Sequence, residues 1–160
     1  MVLCDMEFPN HGIIDSDVST NTTIAAGKIH HQQSVTVELS APTAPIVATS
    51  KYLCQIHGGG GNLISFDLTL MTASAGDANN YIDVTLYRGN FGTDFESMGT
   101  MRVTDQELLT TATMTLDLTQ LDDGDVLYVG VTLTEEESSQ LTIPQGVAVT
   151  LTWNEEPRSG

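Results

Sequence analysis

Apolar and polar positions alternate with a period of two over several short segments, the pattern of half-buried β-strands. In residues 29–40, Val35 and Val37 fall on one face, while Thr36 and Glu38 fall on the other. A proline-containing sequence follows directly and cannot continue a central strand. We therefore predict the first strand over residues 29–40.

Two later pairs of alternating segments are separated by turn-forming residues. A short β-type run at residues 52–57 is closed by four glycines, and alternation resumes over residues 64–70. Residues 113–119 and 126–133 flank the turn Leu121-Asp-Asp-Gly-Asp125 in the same way. Each pair has the spacing typical of a β-hairpin, so we predict two antiparallel pairs.

The remaining elements are a clear strand, an ambiguous stretch and a closing strand. Residues 81–87 alternate strictly, and residues 147–153 repeat the pattern near the end of the chain. Residues 98–103 favour a weak strand. Residues 104–109 begin with a sequence that fits a helix capping box, so a short helical turn is the alternative there.

Seven to eight short strands joined by Gly, Asn, Asp and Pro clusters, without long amphipathic helices, predict an all-β fold. The architecture we expect is an antiparallel, jelly-roll-like β-sandwich over residues 28–154. Residues 1–27 have no regular period and are predicted to form an irregular N-terminal arm, and residues 155–160 a C-terminal tail. The residues expected to be largely buried are Val35, Val37, Phe66, Leu68, Val84, Leu86, Val129, Val131, Val149, Leu151 and Trp153.

Charge restricts the partners more than it indicates a function. The 160 residues include 21 Asp and Glu but five Lys and Arg, a net charge of −16. Such a surface repels phosphate backbones and anionic lipid, so we expect no nucleic-acid or membrane partner. The hydrophobic fraction of 40% excludes general disorder. No long apolar run is present, and the N-terminus carries acids, so neither a membrane span nor a secretion signal is expected.

The histidines and glycines do not form a recognisable chemical site. His30 and His31 are adjacent and would point to opposite faces of a strand, which disfavours a shared zinc ion. His57 is either a loop ligand or base, or a polar residue at a strand end. Residues 58–61 are all glycine but lack the Lys-Ser/Thr and the helix of a phosphate loop, so no nucleotide is expected.

The acidic, hydroxyl and thiol side chains likewise form no recognisable chemical site. The turn at residues 122–125 is either a calcium loop or a solvated turn, and its spacing departs from the EF-hand pattern. Ser and Thr residues are not accompanied by a nucleophile motif. Cys4 and Cys54 do not suggest a disulfide framework, and Cys54 is predicted to be a small buried side chain. We expect no metal, no cofactor and no enzymatic activity.

Three stretches resemble small β-sandwich virion proteins of tailed bacteriophages. They are residues 75–90, with Ile82-Asp-Val-Thr-Leu-Tyr-Arg-Gly-Asn90, then residues 121–129 and residues 143–151. The resemblance implies a non-enzymatic structural protein, a capsid decoration or cement protein that binds and stabilises the phage head, with a tail or fibre component as the next choice. It also implies attachment to the major capsid protein or other virion subunits, synthesis in the host cytoplasm, and a homotrimer rather than a monomer or dimer.

The predicted arm contains apolar residues without a partner in a sandwich that begins at residue 28. They are Leu3, Met6, Phe8, Ile13 and Ile14. Exposed apolar side chains of this kind mark an interaction surface, so we predict that they bind a neighbouring subunit. A disordered terminus is the alternative.

A second class of function, a carbohydrate-binding adhesin module, is also open. β-Sandwiches can display aromatic rings as a platform for sugars. The candidate rings are Tyr81, Tyr87, Tyr128 and either Phe91 or Phe95, of which Tyr81 and Tyr87 share one strand face. The low aromatic content of 6% favours the decoration protein.

Overall fold

A computed structural model describes residues 31–57, 60–72, 76, 78–89, 95–104, 111–117, 119–136 and 142–155. Within these ranges the chain forms strands and no helix, which confirms the all-β prediction. The strands are β1 His31–Glu38, β2 Thr49–Gln55, β3 Gly61–Leu70, β4 Tyr81–Gly89, β5 Glu96–Val103, β6 Thr111–Thr113, β7 Gln120–Leu121, β8 Val126–Thr134 and β9 Val147–Glu155.

The strands form two antiparallel sheets. The first has the order β1-β9-β3, with β6 and β7 both paired to β3, and the second has the order β2-β8-β4-β5. If the short β6 and β7 are taken as one interrupted strand, the pairs β1–β9, β2–β8, β3–β6/β7 and β4–β5 are nested. The chain is thus one long antiparallel hairpin rolled into two sheets, which is a jelly roll. The predicted sandwich is confirmed.

The first predicted hairpin is wrong, because β2 and β3 belong to different sheets. Gly60 and Gly61 lie where the chain enters β3. A Cβ atom on Gly61 would lie 1.9 Å from the carbonyl oxygen of Asn154 in β9, so only glycine permits this close approach. Gly60 adopts a φ of 81°, which glycine tolerates without strain.

The second predicted hairpin is also wrong. Residues near 113–119 supply β6 and an irregular segment beside β3, while β8 lies in the other sheet. The acidic turn between them, residues 122–125, connects the first sheet to the second. Gly124 has a φ of 92°, and its N–H donates to the carbonyl of Ile56 in the adjacent connection.

The ambiguous stretch is resolved in part. Residues 98–103, for which a weak strand was predicted, lie in β5 and pair with β4. Residues 105–110, which hold nearly all of the alternative helical turn, lie outside the described residues.

The core lies between the two sheets. Phe66 of β3 and Leu151 of β9 are cross-strand neighbours, and both are fully buried. Eight of the eleven residues predicted to be buried are buried. The expectation is wrong for Val35, Val37 and Trp153, which are only partly buried. The two valines lie on β1, an edge strand without a neighbour on its outer side, and Trp153 lies near the end of β9.

Removal of the central core side chain should destabilise the whole domain. We expect Phe66→Ala to lower the free energy of unfolding by about 3–5 kcal/mol, because it leaves a cavity where neighbouring strands pack. Urea denaturation measures the change. Ile64→Thr is the matched control, since Ile64 is on the same strand but 47% exposed, and it should stay within about 0.5 kcal/mol of the parent. Equal effects of the two substitutions would contradict the assignment of faces.

Candidate functional site: an aromatic groove

Aromatic side chains collect on the outer face of the second sheet. Tyr128 of β8 is the direct cross-strand neighbour of Tyr52 on one side and of Tyr87 on the other. Its ring contacts the ring of Phe95 edge to face, with centroids 4.5 Å apart and an angle of 81°. The ring of Tyr52 stands 6.2 Å away at 83°. Three strands and the residue preceding β5 therefore bring four rings together.

Three of these rings, Tyr87, Phe95 and Tyr128, border a cavity of about 340 Å³, which we call the aromatic groove. Its floor is the backbone of Gly130. A Cβ atom there would lie 2.9 Å from the Tyr87 ring, and a Cβ on Gly89 would lie 2.3 Å from the Phe95 ring. The absence of two side chains lets the rings lie close to the sheet. The groove is lined by Thr49, Ser50, Tyr87, Phe95, Tyr128, Val129, Gly130, Val131 and Thr132.

The groove combines aromatic surface with neutral polar groups. Phe95 is 51% exposed, and Tyr52, which lies beside the groove, is 57% exposed. Ser50 and Thr132, which carry hydroxyl groups, line the groove and lie on the same face of the sheet as Tyr128. No charged side chain is among its described lining residues. This composition suits non-covalent binding of an uncharged ligand, and it offers no acid, base or nucleophile arranged for catalysis.

The sequence analysis named some of these rings correctly. Those brought to the groove are Tyr87, Phe95 and Tyr128. Tyr81 shares the outer face but lies elsewhere, with the guanidinium of Arg102 3.5 Å from its ring centroid. Hydrogen bonding to Asp83 raises the pKa of Arg102 and holds that guanidinium in place. Phe91 lies outside the described residues.

Tyr52 is the ring that the sequence analysis missed. Its position in a β-type run was visible, but its neighbour was not, because β2 pairs with the distant β8. The available signal was the spacing of Tyr52 in its strand, which is informative only once the register with Tyr128 is known.

The acidic turn serves the structure. Asp125 is 3% exposed, and its carboxylate accepts a hydrogen bond of 2.8 Å from the backbone N–H of Asp122. Arg88 approaches the same carboxylate at 3.9 Å and also donates to the carbonyl of Gln120 in β7, at 2.7 Å. Arg88 thereby links β4 of one sheet to β7 of the other at this end of the sandwich.

Other candidates for chemistry do not assemble into a site. In the described part of the chain, no group of three or more His, Cys, Asp and Glu side chains could hold a metal ion. His57 is exposed just after β2. His30 and the arm residues Leu3, Met6, Phe8, Ile13 and Ile14 lie outside the described residues. The described residues contain no helix that is long and apolar enough to cross a membrane.

Cys54 is a half-buried free thiol on β2. It lies in a strand as predicted but is less buried than the sequence predicts. Burial raises the pKa of the Cys54 thiol from 9.0 to about 11. The neutral thiol is therefore the form present near neutral pH, and it is a poor nucleophile.

Comparisons with known proteins give a distant structural likeness. No family model and no curated protein matches the chain. It is similar to a chain in the structure of infectious bursal disease virus Gx strain, with 13% identity and a TM-score of 0.44, over 93% of this chain and 37% of that one. For the Gt strain the identity is 14% and the TM-score 0.36, over 96% and 43%. The chain spans less than half the length of either.

The raised pKa predicts slow thiol chemistry. In a Cys4→Ser chain, Cys54 is the sole thiol, and at about pH 8 we expect it to react with an aromatic disulfide reagent about 100-fold more slowly than the unfolded chain. The rate should rise about tenfold per pH unit as the thiolate fraction grows toward the pKa. Absorbance of the released thiolate measures the rate. Equal rates for folded and urea-unfolded chains would contradict the prediction.

Proposed function

We propose that this chain is a non-enzymatic structural protein of a virus particle, with decoration or cementing of a tailed-phage head as its specific role. The nested jelly-roll topology carries the proposal, because double-sheet jelly rolls are an architecture of viral capsid domains. Jelly rolls also occur in lectins, so the topology favours a class of binding and structural roles. A tail or fibre position is the alternative within the virion.

The described surface offers little apolar area for attachment to a shell. Outside the aromatic groove and Tyr52, the large hydrophobic side chains that are exposed in the described ranges are Val47, Ile64 and Met71. The outer face of the first sheet instead pairs hydroxyls across strands, as between Thr36 and Thr150 at 2.9 Å. Such a face is readily hydrated, which suits a sandwich that faces solvent.

The proposed attachment is through the N-terminal arm, residues 1–27. Its residues Leu3, Met6, Phe8, Ile13 and Ile14 would bind the major capsid protein or another virion subunit. Burial of each side chain contributes about 1.5–3 kcal/mol, but ordering the arm costs about 1–2 kcal/mol per residue. For one arm alone, the cost of ordering the residues therefore exceeds the gain from burying five side chains. Durable attachment therefore favours a homotrimer, in which linked arms raise the effective concentration.

We expect deletion of residues 1–27 to leave a soluble, folded β domain that binds particles at least about tenfold more weakly, because the apolar contacts are lost. Co-sedimentation with purified particles from the encoding virus measures the binding.

A length-matched variant separates chemistry from chain length. Replacing the five apolar arm residues by Ser in the full chain should weaken binding as the deletion does. The control converts five polar arm residues to Ala and should bind like the parent; these are Ser16, Ser19, Thr20, Thr22 and Thr23. Full occupancy by the truncated chain would contradict the role of the arm. Absence of the chain from purified particles would contradict the virion role itself.

The oligomer is tested independently. Light scattering on the full chain at micromolar concentration should give three times the monomer mass, because a trimer engages three arms at once. Monomers in solution together with monomers on the particle would contradict the homotrimer.

A further inference from the structure

We propose that the aromatic groove is a binding site for an uncharged sugar ring. The site goes beyond the structural role in a virion and does not depend on where the chain attaches. Tyr128 stands between Tyr52 and Phe95, with its ring at 83° and 81° to theirs. The three rings therefore form a corner of aromatic surface open to solvent, rather than a flat layer of stacked rings.

The first argument is the exposure of that surface. Phe95 and Tyr52 each leave about half of their side chain in water, at 51% and 57%. Aromatic rings have large apolar surfaces, and their burial is favourable when a ligand covers them. A pyranose ring presents C–H groups on its faces and can cover such rings, while its hydroxyls remain at the edges.

The second argument is the polar rim. Ser50 on β2 and Thr132 on β8 line the groove on the face that carries the Tyr128 ring. A hydroxyl both donates and accepts hydrogen bonds, so it can adapt to the hydroxyls of a sugar. Aromatic faces combined with a few neutral polar groups are the composition expected of a site for a small polar ligand.

The third argument is charge. The chain carries a net charge of −16, yet the described lining of the groove contains no charged side chain. Among the described lining residues, an anionic sugar or phosphate would find no cation to pair with it, and a cation would find no carboxylate. An uncharged ring needs neither, so the groove fits a neutral saccharide.

The fourth argument is that the groove is preformed. Gly130 forms the floor beneath the ring of Tyr87, and Gly89 lies beneath the ring of Phe95. Both glycines lie on paired strands, so the rings rest on a rigid backbone. The volume of about 340 Å³ is within the range of about 300–1,000 Å³ typical of ligand sites. Little ordering is needed on binding, which favours affinity.

Saturation-transfer NMR on the full chain tests the site. The probes are methyl glycosides of glucose, galactose, mannose and N-acetylglucosamine, together with a neutral linear trisaccharide of each. Glucose 6-phosphate and the methyl glycoside of N-acetylneuraminic acid are the anionic comparisons. We expect saturation at the ring C–H protons of at least one neutral probe and none in the anionic pair.

Two substitutions and a matched control locate the binding. Tyr128→Ala and Phe95→Ala should each weaken binding of the responding probe by about tenfold or more, since each removes a ring that covers the sugar. Tyr81→Ala is the control, because Tyr81 shares the outer face but lies outside the groove. It should bind like the parent.

Gly130→Ala provides a test that removes no ring. Its Cβ would occupy the floor and displace the Tyr87 ring, so binding should fall although all four rings remain. A far-UV spectrum matching that of the parent establishes that each variant is folded.

Several results would overturn the proposal. They are the absence of saturation for every neutral probe, equal response of the anionic probes, or binding that survives Tyr128→Ala, Phe95→Ala and Gly130→Ala alike. The groove could instead hold the arm or a second copy of the chain. A shift of the Tyr128 resonances when residues 1–27 are deleted would identify the arm as the occupant, and a shift on dilution would identify a second copy of the chain. Either result would contradict the sugar proposal.

Discussion

The structure depends on antiparallel pairing between strands that are far apart in the chain. Each sheet is centred on such a pair, β3 with β9 and β4 with β8, and among the described strands only β4 and β5 are both consecutive and paired. Strand β9 is the last of the described strands, yet it occupies the middle of the first sheet. Phe66 and Leu151 face each other across β3 and β9, so backbone pairing and core burial occur together. In topologies of this kind, chain entropy is lost in closing long loops before the stabilising contacts form.

The same constraint explains which parts of the fold the sequence could predict. Alternation is a local property, so it located β4 and its buried face, with Ile82, Val84 and Leu86 inward. Pairing is not local, and hairpin spacing led to two wrong pairs. The glycine run at residue 61 reads as a turn signal, but its physical requirement is the close passage of the Asn154 carbonyl. That requirement exists only once β9 has been placed beside β3.

The aromatic groove likewise combines features that local alternation predicts with features that depend on non-local pairing. Alternation placed Tyr81 and Tyr87 on one face correctly, but it did not show that six residues along a strand separate them by about 20 Å. Tyr81 interacts with Arg102 instead of the groove. Tyr52 and Tyr128 become neighbours only through the register of β2 with β8. A strand pattern therefore identifies the face of a residue, whereas a site also requires its neighbours.

Charge determines how such a protein can make contacts. The cations of the described residues are all engaged within the chain: Lys51 with the carbonyl of Glu38, Arg88 with Glu96 and Gln120, and Arg102 with Asp83. These bonds hold strands in place and leave the excess of acids to set the outer field. Copies of the chain therefore repel one another at long range. The contacts proposed above, through apolar side chains of the arm and through the neutral aromatic groove, would act at short range, where burial and hydrogen bonding can exceed that repulsion.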